Sequence, residues 1–320
     1  MSQRVVVLRR DIHGMPIADY VEALRERLPN REVVHARTPA EERELVAGAE
    51  VVTGHALGPA LLEAAADLRL FQCLYAGTDH LPLDELAERD VAVTSASGVH
   101  GPPVAEWVVG MLLSFARRLH EGSRRADRRE WRHYQAGELA GSTVTVVGLG
   151  HIGRAVVHRL EGFDVETIGV RRSPDRGGPA DEVVGADEGS FHAALARTDY
   201  LVLACPLTAE TAGLVDAAAL ETLPPTAVVV NVARGPVVDT EALLAELRGQ
   251  GIAGAALDVT DPEPLPEDHP LWTLDNVRIT PHVSGHTPRY YERVADILAR
   301  NLARVDETGT YADLENQVRL

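Results

Sequence analysis

The 320-residue sequence contains no lysine: all 31 basic side chains are arginines, against 48 Asp and Glu, for a formal net charge of −17. Without lysine, Schiff-base chemistry and a P-loop are excluded. The negative charge argues against a nucleic-acid partner, because phosphate binding depends on positive patches. Excess acidic groups keep a protein soluble where salt screens their repulsion. We therefore expect a halophilic-type protein from a salt-rich cytoplasm; a high-GC genome that replaces Lys by Arg is the alternative.

Cysteines, aromatic residues and long apolar runs are also scarce. The two cysteines, Cys73 and Cys205, lie far apart in apolar segments and form no CxxC pair, so both are expected to be reduced thiols. Aromatic residues make up 4% of the chain, so aliphatic side chains must fill the core. No apolar run reaches the roughly 18 residues of a membrane span. The N-terminal segment lacks a signal-peptide pattern, because Arg9 to Asp11 directly follow a short apolar run. These features predict a cytoplasmic protein without a membrane segment.

Short apolar runs alternate with helical patterns in the first hundred residues. Such alternation predicts a parallel sheet covered by helices on both faces. Strands are expected at 4–8, 33–35, 51–53, 70–74 and 91–94, and helices at 17–28, 59–66 and 82–89. Pro102 and Pro103 favour the start of a long apolar helix from Val104 to about Leu119. An irregular, arginine-rich stretch is expected from there to Gly141.

A second alternating series follows, from Ser142 to Thr280. Its strands are expected at 143–147, 166–170, 200–203, 227–231, 254–257 and 277–280. Six strands with helices between them make a full doubly wound domain. One more helix is expected at 287–301, and the C-terminal residues must dock on a domain already formed. The predicted domains are therefore residues 1–100 with 286–320, and residues 101–285.

A glycine-rich turn, GLGHIG at 148–153, joins a predicted strand to a predicted helix. In this context Gly148 permits a tight turn, Gly150 lets the backbone approach a pyrophosphate, and Gly153 allows close packing of helix on strand. The helix N-terminus attracts the phosphates. The pattern predicts a dinucleotide site, and a glycine-rich turn in an α/β domain without a ligand is the alternative.

The second strand of this series ends in Arg171, Arg172 and Ser173. An NAD enzyme would carry a carboxylate near position 171 to accept hydrogen bonds from the ribose. Arginine cannot accept those bonds, but it pairs well with a 2′-phosphate. The predicted cofactor is therefore NADPH or NADP, with NADH and NAD still usable; two surface arginines without a ligand are the alternative.

Arg234, Glu263 and His282 each follow one of the last three predicted strands. The carboxyl ends of parallel strands meet at one sheet edge, where ligands bind, so these side chains can converge. An arginine can clamp a carboxylate, and an imidazole can transfer a proton near neutral pH. His282 and His286 have the spacing of metal ligands, but Gly285 lies between them and no third ligand is evident, so no metal is expected.

Several motifs, in this order, resemble the D-isomer-specific 2-hydroxyacid dehydrogenase family. They are Gly77 with Asp79 and His80, Val104-Ala105-Glu106, the 148–153 turn, Cys205 to Thr208, NVARG at 231–235, the 258–266 loop and TPHVSG at 280–285. The resemblance covers essentially the whole chain. It implies a flavodoxin-like substrate domain and a Rossmann cofactor domain with an active site in the cleft between them. It also implies a homodimer built through the cofactor domains.

The resemblance implies reversible reduction of a 2-oxo acid to the D-2-hydroxy acid by hydride transfer from the nicotinamide. In that reaction His282 is the acid and base, Glu263 orients it and favours the imidazolium, and Arg234 clamps the carboxylate. Substrate contacts are expected from Tyr75, Ala76, Gly77, Arg234 and His282. Cofactor contacts are expected from Val104, Gly148, Gly150, His151, Ile152, Gly153, Arg171, Arg172, Ser173, Cys205, Pro206, Thr211, Val232, Ala233, Asp258, Ser284 and Gly285, with Asp258 holding the carboxamide.

Two alternatives stay open for the function. A dinucleotide-sensing corepressor on the same fold can keep the same three residues, and a reductase of other carbonyls would not need Arg234. The substrate side-chain pocket is expected near Gly54 and His55, Leu74 and Tyr75, and Trp272, and the mixed apolar character of these residues favours an aliphatic substrate over a phosphorylated one.

Overall fold

The structure is a computed structural model that describes residues 4–12 and 14–319. Contacts within the chain divide it into two compact units. Unit 1 comprises Met1–Val99 and His286–Leu320, and unit 2 comprises His100–Gly285.

Unit 1 contains a five-stranded parallel sheet in the order β2-β1-β3-β4-β5, which is the flavodoxin-like order. Its strands are β1 (Arg4–Val7), β2 (Glu32–His35), β3 (Val51–Gly54), β4 (Leu70–Cys73) and β5 (Ala92–Thr94). Its helices are α1 (Ile17–Arg27), α2 (Pro39–Val46), α3 (Pro59–Ala64), α4 (Leu83–Glu88) and α11 (Tyr290–Thr308). Alternate residues of β1 serve opposite faces: Val5 packs with α1 and α11, whereas Val6 packs with buried residues of α2, α3 and α4.

Unit 2 contains a seven-stranded parallel sheet in the order β12-β11-β10-β9-β6-β7-β8, the Rossmann order extended by one strand. Its strands are β6 (Thr143–Val147), β7 (Glu166–Arg171), β8 (Glu182–Gly185), β9 (Tyr200–Leu203), β10 (Val228–Asn231), β11 (Gly254–Leu257) and β12 (Val277–Ile279). Its helices are α5 (Gly101–Ala116), α6 (Leu119–Asp127), α7 (His151–Leu160), α8 (Glu188–Leu195), α9 (Ala217–Thr222) and α10 (Thr240–Gly249). The two sheet orders confirm the predicted pair of doubly wound α/β folds.

Three elements were absent from the sequence prediction, namely α2, β8 and α6. Helix α2 is polar on most of its surface and buries only Glu42 and Val46, so the sequence shows little helical periodicity of apolar residues. Thr38 caps the helix, and Pro39 is its first residue. Strand β8 is an edge strand of four half-buried residues, too short and too polar for a clear alternation.

The ends of helices α5 and α11 differ from the predicted ends, and a helix lies in the stretch between α5 and β6. Helix α5 ends at Ala116 rather than about Leu119, because Arg118 adopts a left-handed conformation with φ of +51°. The stretch predicted to be irregular contains α6, which buries no residue and gains ion pairs of Glu121 with Arg118 and Arg125. Helix α11 begins three residues later and ends seven residues later than predicted, next to Gly309. Among the residues described, no helix is long and apolar enough to cross a membrane.

Candidate active site and dinucleotide groove

The carboxyl ends of β10, β11 and β12 lie side by side in the sheet of unit 2. Arg234 follows β10 by three residues, Asp258 directly follows β11, and His282 follows β12 by three residues. The topology therefore brings these loops to the single sheet edge that the sequence predicted.

His282 and Glu263 are in direct contact. The Nδ1 atom of His282 lies 2.6 Å from Oε1 of Glu263, and the two side chains are 50% and 40% exposed. The backbone of His282 has φ of +53°, and its N–H donates to the carbonyl oxygens of Asp258 and Thr280, both at 2.9 Å. Since Glu263 engages Nδ1, the ring presents Nε2 as the nitrogen that can exchange a proton.

Asp258 is the buried group that shapes the His282 loop. Its side chain accepts hydrogen bonds from Thr280 Oγ1 at 2.5 Å, from the N–H of Val283 at 2.9 Å and from the N–H of Ser284 at 3.0 Å. The residue is only 2% exposed. These three bonds, on both sides of His282, hold its backbone in place. The expected contact of Asp258 with a carboxamide stays a prediction, and the positioning role adds to it.

Arg234 extends from a tight turn that the side chain of Asn231 holds together. Asn231 is 1% exposed; its Nδ2–H donates to the carbonyl of Arg234, and its Oδ1 accepts from the N–H of Ala233, both at 3.0 Å. A β-carbon at Gly235 would come 2.0 Å from the carbonyl oxygen of Thr260, so only glycine lets this turn lie against the loop that carries Glu263. The side chain of Arg234 itself is exposed.

A cavity of about 800 Å³ opens at the carboxyl ends of β6, β7 and β9. Eight of the predicted cofactor residues line it: Gly148, Gly150, Arg171, Arg172, Ser173, Cys205, Pro206 and Thr211. The walls also include Leu149, Val170 and Leu214, which give it an apolar surface. This groove beside the glycine turn has the position and mixed lining expected for a dinucleotide.

The turn beside this groove is built for close approach of the backbone. Gly148 has φ of +95°, and a β-carbon at Gly153 would come 1.9 Å from the carbonyl oxygen of Gly148. Helix α7 begins at His151, so its unpaired N–H groups face the end of the turn. These residues fit the pyrophosphate of a dinucleotide.

Three guanidinium groups line the far end of the groove. Arg171 donates to the carbonyl of Gly177 at 2.5 Å, and Arg172 lies 3.5 Å from Glu210. Arg176, in a short 3₁₀ turn after β7, is the third and was missed by sequence reasoning. A hydrogen bond from Thr208 and the charge of Arg172 lower the pKa of Glu210, so it stays a carboxylate and offsets part of this positive charge.

The other predicted cofactor residues lie outside this groove. Val104 is buried in α5, His151, Ile152 and Gly153 form the first turn of α7, and Val232 and Ala233 are buried after β10. The N–H of Ser284 is bonded to Asp258, and the carbonyl of Gly285 lies 3.1 Å from Nδ1 of His100. Their predicted contacts with a cofactor therefore stay predictions.

In unit 1 the predicted substrate loop follows β4. Tyr75 is half-buried, whereas Ala76 and Gly77 are exposed. The carbonyl of Tyr75 accepts from the N–H of Ala96 at 3.0 Å, and the hydroxyl of Tyr290 donates to the carbonyl of Leu74 at 2.5 Å. These bonds fix the start of the loop and leave the backbone of residues 76 and 77 at the surface.

Comparisons with known proteins agree with this geometry. Residues 109–284 match the family model described as the NAD binding domain of D-isomer specific 2-hydroxyacid dehydrogenase. The chain belongs to this family. It is similar to the glyoxylate reductase of Thermofilum pendens, with 37% identity over 252 residues, which is 77% of this chain and 74% of that protein. It is also similar to the human glyoxylate reductase/hydroxypyruvate reductase, with 36% identity over 82% of this chain and 83% of that protein.

Two solved structures match this chain over nearly its whole length. The TT0316 protein of Thermus thermophilus matches with a TM-score of 0.70 and 33% identity, covering 99% of this chain and all of that one. A D-isomer specific 2-hydroxyacid dehydrogenase of Xanthobacter autotrophicus, in complex with NADPH and MES, matches with a TM-score of 0.75 and 29% identity, covering 100% of this chain and 98% of that one.

The structure brings some of the predicted site residues of this family member close together and leaves others apart. It brings Glu263 and His282 into contact and gathers eight cofactor residues around one groove. Arg234 lies on the adjacent loop. Among the described residues, no group of three or more His, Cys, Asp or Glu is arranged to hold a metal ion.

Proposed function

We propose that this chain reversibly reduces a 2-oxo acid to the D-2-hydroxy acid with a nicotinamide cofactor. The observation that carries the proposal is the 2.6 Å contact of Glu263 with His282, at the sheet edge that also presents an exposed Arg234. An oriented imidazole beside an arginine suits proton transfer to a carbonyl next to a carboxylate. Relatives named glyoxylate reductases, at 36–37% identity, support the same reaction class.

The residues have distinct tasks in this reaction. Reduced nicotinamide, when bound, supplies a hydride to the carbonyl carbon. His282 donates a proton from Nε2 to the carbonyl oxygen during reduction and removes it from the hydroxyl during oxidation. Glu263 holds the ring through Nδ1, and Asp258 holds the loop beneath it. Arg234 binds the carboxylate and polarises the carbonyl.

We assign the substrate and the cofactor to different units of the chain. Unit 2 carries the groove and the glycine turn, so we propose residues 101–285 as the cofactor domain. Residues 1–100 with 286–320 are proposed as the substrate domain, with substrate contacts from the loop after β4, in which Ala76 and Gly77 are exposed.

We propose NADPH as the preferred cofactor, with NADH usable. Arg171, Arg172 and Arg176 line one end of the groove, and a 2′-phosphate among them gains charge-assisted hydrogen bonds that NADH cannot make. At molar salt the Debye length is about 3 Å, so only direct contacts keep their strength. We therefore expect kcat/KM to favour NADPH by about 10-fold to 100-fold.

A kinetic panel of 2-oxo acids with NADPH and NADH tests the activity and this preference, and Arg171→Asp should reverse the preference. Aspartate repels the phosphate and accepts hydrogen bonds from the ribose. Arg248→Asp, which changes an exposed arginine of α10, is the matched control and should keep the wild-type ratio. Better turnover with NADH in the wild type would overturn the cofactor assignment. Dinucleotide binding without turnover of any 2-oxo acid would instead favour a corepressor-like protein.

We also propose a homodimer in which the segment after α6 contacts the second copy. Trp131 is 99% exposed there. The guanidinium groups of Arg118 and Arg125 lie 5.9 and 5.0 Å from the ring centroid of nearby Tyr134, which orders the segment. In the proposed dimer, Trp131 packs against the second copy and its apolar ring leaves water.

The acidic surface is proposed as an adaptation to a salt-rich cytoplasm. With 48 acidic and 31 basic side chains, mutual repulsion opposes the compact state until salt screens it. We expect dimers with a high melting temperature in molar KCl and a lower melting temperature in dilute buffer. Sedimentation and circular dichroism across a KCl series check both proposals: a monomer in molar salt would contradict the dimer, and full stability in dilute buffer would contradict the adaptation.

A further inference from the structure

Two carboxylates, Asp187 and Glu210, are among the side chains that line the groove of unit 2. Asp187 serves the fold, because its Oδ1 atom accepts from the N–H of Ser190 at 3.0 Å and caps α8. Glu210 belongs instead to the loop between β9 and α9, and its carboxylate faces Arg172. An acid beside the guanidinium groups of the groove opposes the binding of a phosphate there.

Two threonines order the loop that carries Glu210. The hydroxyl of Thr211 donates to the carbonyl of Pro206 at 2.6 Å and accepts from the N–H of Thr208 at 2.8 Å. The hydroxyl of Thr208 in turn donates to Oε2 of Glu210 at 2.8 Å. These bonds between side chains and the local backbone give the carboxylate a defined place beside the groove.

The other oxygen of this carboxylate faces an arginine. Oε1 of Glu210 lies 3.5 Å from a terminal nitrogen of Arg172, and the side chains of Arg172 and Glu210 are 86% and 66% exposed. An ion pair this exposed contributes little to the stability of the fold. Its main effect is therefore on the charge that a ligand meets at Arg172.

This charge acts differently on the two forms of the cofactor. The 2′-phosphate of NADPH is an anion, so it competes with Glu210 for Arg172 and is repelled by the carboxylate. NADH carries a neutral hydroxyl at the same position and meets neither cost. Glu210 thus selects against the phosphate, whereas the guanidinium groups of the groove select for it.

We propose that Glu210 is a specificity-determining residue that limits the preference for NADPH and so keeps NADH usable. The inference rests on the proposed function, in which the groove binds a nicotinamide dinucleotide. Specificity is a difference between two affinities, and a like charge near one ligand reduces that difference without any contact to the other ligand. Removing the charge of Glu210 should therefore strengthen binding of the phosphorylated cofactor alone.

The test measures binding rather than turnover. Glu210→Gln keeps the size of the side chain and an oxygen that accepts from Thr208, but it removes the charge. Titration calorimetry of the full chain with NADP and NAD gives the two Kd values, and 2′,5′-ADP and AMP isolate the effect of the 2′-phosphate. We expect the Kd of NADP and of 2′,5′-ADP to fall by about 3-fold to 10-fold, and the Kd of NAD and of AMP to change by less than about 2-fold.

Two further variants assign the effect to the pair. Glu221→Gln, an exposed glutamate of α9 in the same unit, is the matched control and should leave all four Kd values unchanged. In an Arg172→Gln background, Glu210→Gln should gain less, because only the repulsion of the phosphate is then relieved; an equal gain would contradict the part assigned to Arg172. An unchanged Kd of NADP in Glu210→Gln, or an equal fall for NAD, would overturn this inference alone. No binding of any probe to the wild type would overturn the proposed function as well.

Discussion

His282→Ala should lower kcat by about 100-fold to 10,000-fold, because in the proposed reaction His282 moves the proton to and from the substrate oxygen. Affinity for NADPH should stay close to the wild-type value. The imidazole is half-exposed, and its hydrogen bond is to Glu263 rather than to a residue of the groove. Steady-state kinetics give the loss of turnover, and a fluorescence titration with NADPH gives the affinity. Turnover near the wild-type rate would remove His282 from the chemistry.

Glu263→Gln is the companion variant, and it separates orientation from proton transfer. In the proposed reaction, reduction requires the protonated ring of His282, so activity should be present at low pH and be lost as the pH rises. Glutamine keeps a hydrogen-bonding group near Nδ1 but removes the anion that favours the imidazolium. The falling limb of the pH profile for reduction should therefore move to lower pH. Glu267→Gln, an exposed glutamate in the same loop, is the matched control. An unchanged profile in Glu263→Gln would contradict the role assigned to Glu263.

The pairing of Glu263 with His282 could be expected from the sequence because it depends on topology. Both residues follow neighbouring parallel strands by a few positions, and the carboxyl ends of such strands meet at one edge. The part played by Asn231 could not be expected. Its two side-chain bonds to the 231–234 turn depend on the local backbone path, and a single buried amide after an apolar run is the only signal.

The arginines that line the groove show the same limit. Arg171 and Arg172 directly follow a predicted strand, so the sequence predicted their position at its carboxyl end. Arg176 reaches the groove only because a 3₁₀ turn at Pro174–Arg176 reverses the chain after β7. That turn and the short edge strand β8 lack periodicity, since neither has enough buried residues to produce a pattern.

The sequence also did not predict that polar rings cluster at the carboxyl edge of the unit 1 sheet. His55 and His80 are 25 positions apart, and neither belongs to an apolar pattern. Alternating strands and helices predict that β3 and β4 both end at this edge, but they do not predict that the rings stack. Strand order and loop path decide such contacts, so the sequence did not predict that His80 lies beside His55.

Arg234→Ala should lower kcat/KM for 2-oxo acids by at least about 100-fold, because in the proposed reaction the substrate carboxylate and the developing oxyanion lose their charged partner. The loss should not come from misfolding, since the side chain is exposed and the 231–234 turn is held by Asn231 through backbone atoms. Arg234→Lys is the matched control. It keeps the charge but not the planar pair of donors, so it should recover only part of the activity. Measuring kcat/KM with glyoxylate, together with NADPH affinity, separates substrate binding from cofactor binding. If Arg234→Ala and Arg234→Lys both reduce glyoxylate at the wild-type rate, the carboxylate is bound elsewhere, and the orientation proposed for the substrate beside His282 is wrong.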